Sequence, residues 1–543
     1  MRKDPAALVN PARKKRKTAD PGDAPGSAFL RRGKQGVENG GAPGYNRSGP
    51  VGSGRKEGRK AVKQSSLRKN FILNALLTLS SFLFPLITFP YVSRVLQPEN
   101  YGRVNFAASF VAYFNMLAQL GVPTYGIRAA AAARGDRDGL SRTAQELLRL
   151  NLLMSALAYL ALTLCLLFIP RVGQDWPLLL VFSLTILLNS IGMEWLYQGL
   201  EQYAYITVRS VVFKAVALAA TFLFVRSEGD YLIYAAVAIF ASSASNLLNF
   251  FHARRYITLR PLRGCDIRRH LRPAAVFFAM ACATTIYASL DEVMLGFMTS
   301  NTDVGYYHAA VKVKTILVGI VTALGAVLLP RATYYVEHGL LDEFRRITGR
   351  ALHFVLLAAA PLSLYFLLFA REGILLLSGS AYANAVLPMQ ILMPTLLLIG
   401  VTNVLGIQIL VPTGREKTVL VSEIAGAAVD LVLNALLIPR YAATGAAIGT
   451  LAAEAVVLAV QLHALRGELR SAVSGLRPSL LLAALVPACA ASLWVKLLGL
   501  GSFPALLISA VCFFGVYAAV LLLGGEKLAR ELWKELLARR KRS

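Results

Sequence analysis

Long apolar stretches separated by short polar connections recur along this chain from about residue 70 to about residue 524. Each runs to roughly 18–25 residues, the length an α-helix needs to cross a hydrocarbon core of about 30 Å. The pattern predicts an all-α polytopic membrane protein with about fourteen transmembrane helices. The first six spans fall near 70–93, 105–126, 147–169, 177–199, 207–225 and 230–251. The next six fall near 272–297, 309–330, 352–370, 385–411, 418–438 and 442–464, and the last two near 478–499 and 502–524.

A faint repeat divides the spans. Arg94-Val95-Leu96 leads to Asn100-Tyr101-Gly102 and Ala107-Ala108, and Asp291 to Gly296 leads to Asp303-Val304-Gly305 and Ala309-Ala310. Each copy follows the first helix of a six-helix half. Six is even, so the halves would share an orientation and be related by an axis along the membrane normal. This organisation gives an N-terminal lobe (69–251), a basic inter-lobe loop (252–271), a C-terminal lobe (272–465), two added spans (466–525) and a C-terminal tail (526–543), after an N-terminal tail at 1–68.

Charge sets the orientation. Lys and Arg gather in alternate connections: Arg128, Arg134, Arg137 and Arg142; then Arg254, Arg255, Arg260, Arg263, Arg268 and Arg269; then Arg331, Arg345, Arg346 and Arg350; then Arg466, Arg470 and Arg477. Connections 298–308 and 500–502 carry none. Under the positive-inside rule this places both termini in the cytoplasm of a cell-membrane protein, with an even number of spans.

The net charge of +27 invites a nucleic-acid reading. About half of the excess, 18 Lys/Arg against 5 Asp/Glu, sits in residues 1–69. That segment is rich in Gly, Pro and Ala and is expected to be a disordered cytoplasmic tail drawn to anionic lipid, not to nucleic acid. Its Arg13-Lys14-Lys15-Arg16-Lys17 run resembles a nuclear-localisation signal, but in a multispan protein it reads as part of that lipid-drawn tail, and no apolar signal-peptide core is visible before the first span. At the other end Leu528, Leu532, Trp533, Leu536 and Leu537 share a helical face opposite basic residues, which suits a helix lying on the inner leaflet.

The composition points away from enzyme chemistry. There is no Walker loop, HExxH or GxSxG motif, and the histidines have no metal-ligand spacing. The five cysteines form no CxxC pair and read as small core residues, so no metal centre is expected. The remaining signal is charge inside the spans, which costs at least ~2.5–3.5 kcal/mol at mid-bilayer and so normally faces a cavity or a partner. Glu194, Arg209, Lys214, Asp291, Glu292, Lys312, Lys314, Glu423, Asp430 and Glu454 qualify. Lys214 lies one to two turns into its span, where it reaches little water without a cavity. Asp291 and Glu292 face Lys312 and Lys314 across a short hairpin, and a structural ion pair is expected there. Pro85 and Pro90, with Pro388 and Pro394, predict kinks in the first and tenth spans. Gly445 to Gly449 has the GxxxG spacing of close helix packing.

The stretch Pro85 to Leu96, with Asn100-Tyr101-Gly102, Leu120-Gly121 and Tyr125 to Arg128, resembles the bacterial oligosaccharide flippases of the polysaccharide transporter family. Leu290 to Gly296, Val304 to Tyr307, Leu328 to Arg331 and Thr450 to Glu454 are similar to the same family, and the resemblance spans about residues 68–465. It implies two six-helix lobes around a central cavity, with two further C-terminal helices, within the multidrug/oligosaccharidyl-lipid/polysaccharide exporter superfamily. It implies a non-enzymatic flippase that moves an undecaprenyl-pyrophosphate-linked oligosaccharide from the inner to the outer leaflet by alternating access. A polysaccharide polymerase and chain-length machinery would act after it. Under that resemblance the cavity cations expected to meet the pyrophosphate are Arg94, Arg128, Lys214, Lys312 and Lys314. Asp291, with Glu292, is the coupling or structural acid, for a Na+ or H+ gradient. A multidrug exporter or a lipid II flippase of the same superfamily is the alternative.

Overall fold

The computed structural model describes residues 67–260, 262, 264–467 and 478–540. The expected tail lies outside the described residues up to 66, as do 468–477 in the last basic connection and 541–543 at the C-terminus. Among the described residues every regular element is helical. The order is α1 (Leu67–Gln119), α2 (Val122–Ala132), α3 (Arg137–Phe168), α4 (Trp176–Gly199), α5 (Tyr203–Phe224) and α6 (Glu228–Ala253). After a stretch without a long helix come α7 (Arg268–Met298), α8 (Asn301–Glu337), α9 (Leu341–Leu368), the bent α10 (Ser380–Leu392 and Thr395–Leu410) and α11 (Glu416–Leu465). The chain closes with α12 (Pro478–Leu498), α13 (Ser502–Leu523) and α14 (Lys527–Arg540).

Among the described residues eleven helices are long and apolar enough to cross a membrane, twelve with the bent pair taken as one. Two of these stretches are 50 residues long, far beyond one bilayer crossing. Both fold back on themselves. In α11 the turn is at Ala442, with φ 46° and ψ −127°. Gln461 donates to Ser422 at 3.1 Å, and these residues would stand tens of ångströms apart in a straight helix. Gly445 and Gly449 lie in this hairpin, against the Leu437 carbonyl group and Asn434, so the GxxxG spacing serves close packing. In α1 the turn is at Gln97, with φ 59° and ψ 167°. The residue before a proline is pushed out of the helical region, and Pro98 follows. The Phe89 and Tyr101 rings, on either side of that turn, are 5.9 Å apart. These two hairpins are where the helix count and the fourteen expected spans differ.

The prolines behave unequally. The α10 pair bends by 45° next to Pro394, as expected of a proline kink. In the first span the helix runs through Pro85 and Pro90 without a break, and its only non-helical residue is Gln97.

Two ends of the bundle can be told apart by charge. At the arginine-poor end the two halves are tied together. Ser93 donates to the Leu377 carbonyl at 3.3 Å, and Arg94 donates to the Leu376 carbonyl. Arg171 donates to the Gly296 carbonyl at 2.8 Å and to Asn301 Oδ1 at 2.5 Å. Gly102 packs on the Asn301 carbonyl and Gly305 on the Pro98 carbonyl, so closely that neither position has room for a Cβ. The two copies of the sequence repeat therefore meet each other here. A core of Phe89, Val92, Leu96, Tyr101, Leu295, Val304 and Tyr307 lies beneath this seal. Nearer the opposite end, Leu76, Leu83 and Ile87 of α1 are exposed.

The last two spans form a satellite. Phe513 and Tyr517 of α13, with Ala484 and Leu485 of α12, pack on Tyr365 and Phe369 at the end of α9. The amphipathic α14 is anchored by Arg350 to Glu531 at 2.8 Å and leaves Trp533 exposed.

Candidate functional site

A cavity of about 530 Å3 opens inside the first six-helix half. Its walls follow from helical spacing. Leu77, Ser81, Phe84 and Thr88 recur at three- and four-residue steps along the first pass of α1, so they share one face. Ser210, Lys214, Ala217 and Thr221 do the same along α5. The third wall is α6, with Tyr234, Ala238, Ala241 and Ser242. Ala241 and Ser242 fall in a π-helical turn, Phe240–Ala244, a distortion that re-aims side chains and recurs at functional sites. Glu194 stands at the rim. Lys312, from α8, is the lining side chain contributed by the other half.

Two of the five expected cations line this cavity. Lys214 donates to Ser80 Oγ at 3.1 Å and Ser81 Oγ at 2.8 Å, tying α5 to α1. Its partners are neutral hydroxyls, so its charge is not cancelled in contact. Lys312 feels the charge of Glu292 across the α7–α8 hairpin. Glu292 is buried and already engaged: it accepts from Ser109 and lies 2.5 Å from His308 Nδ1. Since Ser109 belongs to the first half, Glu292 bridges the two halves next to a cavity cation.

The other three cations lie elsewhere. Arg94 is exposed at the arginine-poor end, where it donates to the Pro90 carbonyl at 3.1 Å as well as to Leu376, so it acts as a clamp between halves. Arg128 lies over the Phe277 ring at 5.7 Å in a separate surface groove with Tyr125 and Pro273. Lys314 is turned into the second half, where its charge acts on Asp430 and Glu454. The reason is rotation: residues two apart on a helix point about 200° apart, so Lys312 and Lys314 cannot share a wall. Among the described residues neither lysine makes an ion pair with Asp291 or Glu292 at contact distance, and the expected structural pair is replaced by two separate environments.

Asp291 and Glu292 diverge for the same reason. Asp291 points into the second half, buried, and accepts from the Tyr307 hydroxyl, from Asn434 Nδ2 at 2.6 Å and from Thr450 Oγ1 at 2.9 Å. Beside it Asp430 Oδ1 and Asn434 Oδ1 are buried and, among the described residues, accept no hydrogen bond. Tyr307 and Thr450 fall in segments that resemble the family, but neither they nor His308 and Asn434 were among the candidate site residues. Neutral polar residues are cheap in a span and give a weak signal, although Asn434, one turn from Asp430, shares its face.

Comparison with known proteins follows this geometry. Residues 67–335 match the family described as polysaccharide biosynthesis protein. A protein of Escherichia coli (strain K12) named "Putative O-antigen transporter" is 27% identical over 414 residues, covering 74% of this chain and 97% of that protein. A protein of Shigella dysenteriae with the same name is 23% identical over 402 residues, covering 74% and 100%. Among solved structures, the lipid II flippase MurJ in an inward closed conformation superposes with a TM-score of 0.65 at 14% identity, covering 84% of this chain and 99% of that one. An inward-facing multidrug resistance MATE family transporter of the MOP superfamily superposes with a TM-score of 0.55 at 16% identity, covering 75% and 99%. At these identities the two structures speak for the fold alone.

Proposed function

We propose that the chain is a member of the polysaccharide transporter family of the multidrug/oligosaccharidyl-lipid/polysaccharide exporter superfamily, and that it flips an undecaprenyl-pyrophosphate-linked oligosaccharide across the cytoplasmic membrane by alternating access, a reading supported by the family match over residues 67–335 and by the O-antigen transporter relatives. The observation that carries this reading is the cavity. It holds Lys214 and Lys312 within a bundle that the two halves seal at the arginine-poor end. Charge at that depth is too costly without a function or a partner. A sugar–diphosphate headgroup is anionic and cannot enter hydrocarbon, so a cationic cavity would replace its water while the lipid tail stays in the bilayer.

With the arginine-rich end in the cytoplasm, as the positive-inside rule requires, the headgroup enters from the inner leaflet and the arginine-poor seal is the outer gate. Deleting the gene in its host is expected to accumulate lipid-linked units and abolish surface polysaccharide. Altered sensitivity to cationic drugs with unchanged polysaccharide would favour the multidrug exporter, and lysis on depletion the lipid II flippase.

Asp291 supplies the coupling. The unpartnered oxygens of Asp430 and Asn434 beside it give a Na+ or H+ a place to bind, in the half that moves against the cavity walls. Asp291→Asn keeps the size of the side chain and removes its charge. In proteoliposomes this variant is expected to lose the acceleration of transport by an imposed ion gradient while retaining downhill flipping. Equal gradient dependence in both proteins would exclude Asp291 as the coupling acid.

A further inference from the structure

We propose that Glu194 is a built-in anion that occupies an entry site formed by Arg209 and Lys214, and that an arriving diphosphate exchanges with it. This rests on the flippase reading above and names the first contact of its substrate.

The site begins with a break in a helix. α4 is interrupted at Met193, which adopts a left-handed conformation with φ 43° and ψ 40°. Such backbone is unfavourable for a residue with a Cβ, and it persists where the surroundings hold it in place. The Met193 side chain is buried, and the break starts a new short helix with Glu194 as its first residue. Glu194 thereby reaches the cavity rim, where its side chain is 41% exposed.

Arg209 lies behind it and is only 6% exposed. Its Nη2 is 3.7 Å from Glu194 Oε2, close enough for charge attraction and too long for a hydrogen bond. The Tyr205 ring lies 5.8 Å from its guanidinium carbon, but among the described residues its buried Nε and Nη1 have no hydrogen-bond partner at contact distance. A guanidinium has five N–H donors in a planar fork. A buried one normally requires acceptors for them, because donors stripped of water and left unpaired are costly. Glu194 is held as loosely from its other side, by Gln198 at 3.4 Å.

The pair is thus a deeply buried cation under-served by a half-exposed carboxylate. A static structural pair would be expected to close to hydrogen-bond distance. A diphosphate offers more oxygens and more charge than one carboxylate to the two cations beside Glu194. Lys214 lies five residues further along the same helix, lines the cavity together with Glu194 and feels its charge. Arg209 thus stands behind the Glu194 carboxylate while Lys214 and Lys312 line the cavity in front of it, and Glu194 is the counter-ion released at the first step.

The test measures equilibrium binding of geranylgeranyl diphosphate to the purified full-length protein in detergent, for wild type, Glu194→Gln and Arg209→Gln. Removing the internal competitor is expected to tighten binding at least tenfold in Glu194→Gln and to slow flipping, because release is impaired. Arg209→Gln should weaken binding at least tenfold. Glu194→Ala gives a second form of the same measurement should the glutamine variant fail to fold. Wild-type binding with unchanged or weaker affinity in the Glu194 variants would overturn the exchange while leaving the flippase reading intact. A wild type that binds no diphosphate at all would overturn both.

Discussion

Lys214→Met and Lys312→Met are each expected to cut transport by about one to two orders of magnitude, and the double variant to abolish it. Methionine keeps an unbranched apolar stem of similar length and removes the charge, so packing along the cavity wall is largely retained. A charge-assisted hydrogen bond contributes about 1.5–3 kcal/mol, and every 1.4 kcal/mol is a factor of ten. The two lysines come from different halves of the bundle and line one cavity. Their losses should therefore compound through the shared diphosphate. Surface polysaccharide in a host deleted for the gene, normalised to the amount of protein in the membrane, reads the effect. Full complementation by the double variant would remove both lysines from the pathway. Arg128→Met is the internal comparison: its side chain lies in the Phe277 groove away from the cavity, so its effect should be small.

The second large effect concerns the seal. Gly305→Val and Gly102→Val place side chains where the Pro98 and Asn301 carbonyl groups already stand. Overpacking of this kind costs about 1–3 kcal/mol, which shifts an equilibrium between two packed states about 5- to 150-fold. The closed outer gate is the state that suffers, because these glycines are where the halves touch. A cysteine introduced at Thr88, which lines the cavity, in a background without the five native cysteines, should be labelled faster by an impermeant thiol reagent added outside. Transport should fall with it, since a gate that cannot close cannot alternate. Unchanged labelling with full transport would show that the Gly102 and Gly305 contacts do not control access.

The helical membrane fold was legible because the bilayer imposes one length on every span, and the charge alternation followed from insertion physics. Both hairpins fall at the boundary between two expected spans, the one at Gln97 beside Pro98 and the one at Ala442 just past Pro439. The cavity was half legible. Ser81 and Thr88 with Ser210, Lys214 and Thr221 are polar stripes at helical spacing on two spans, and only Lys214 among them was taken up. The position of a charge along the chain says how deep it lies, but not which way it points. Arg94 lies at the right depth for a gate and not for a cavity. The neighbours Asp291 and Glu292 are the clearest lesson, since one turns into the second half towards Asn434 and Thr450 and the other towards Ser109 of the first. The unpartnered donors of Arg209 became visible only once Met193 was seen to break its helix.

The most direct measurement is flipping of a fluorescent undecaprenyl-pyrophosphate-linked oligosaccharide in proteoliposomes, comparing wild type with the Lys214→Met/Lys312→Met variant at equal incorporation. The account predicts rapid exposure of the headgroup on the opposite leaflet with wild type and a rate near that of empty liposomes with the variant. Equal rates in the two proteins would contradict the claim that these cavity lysines carry the diphosphate across.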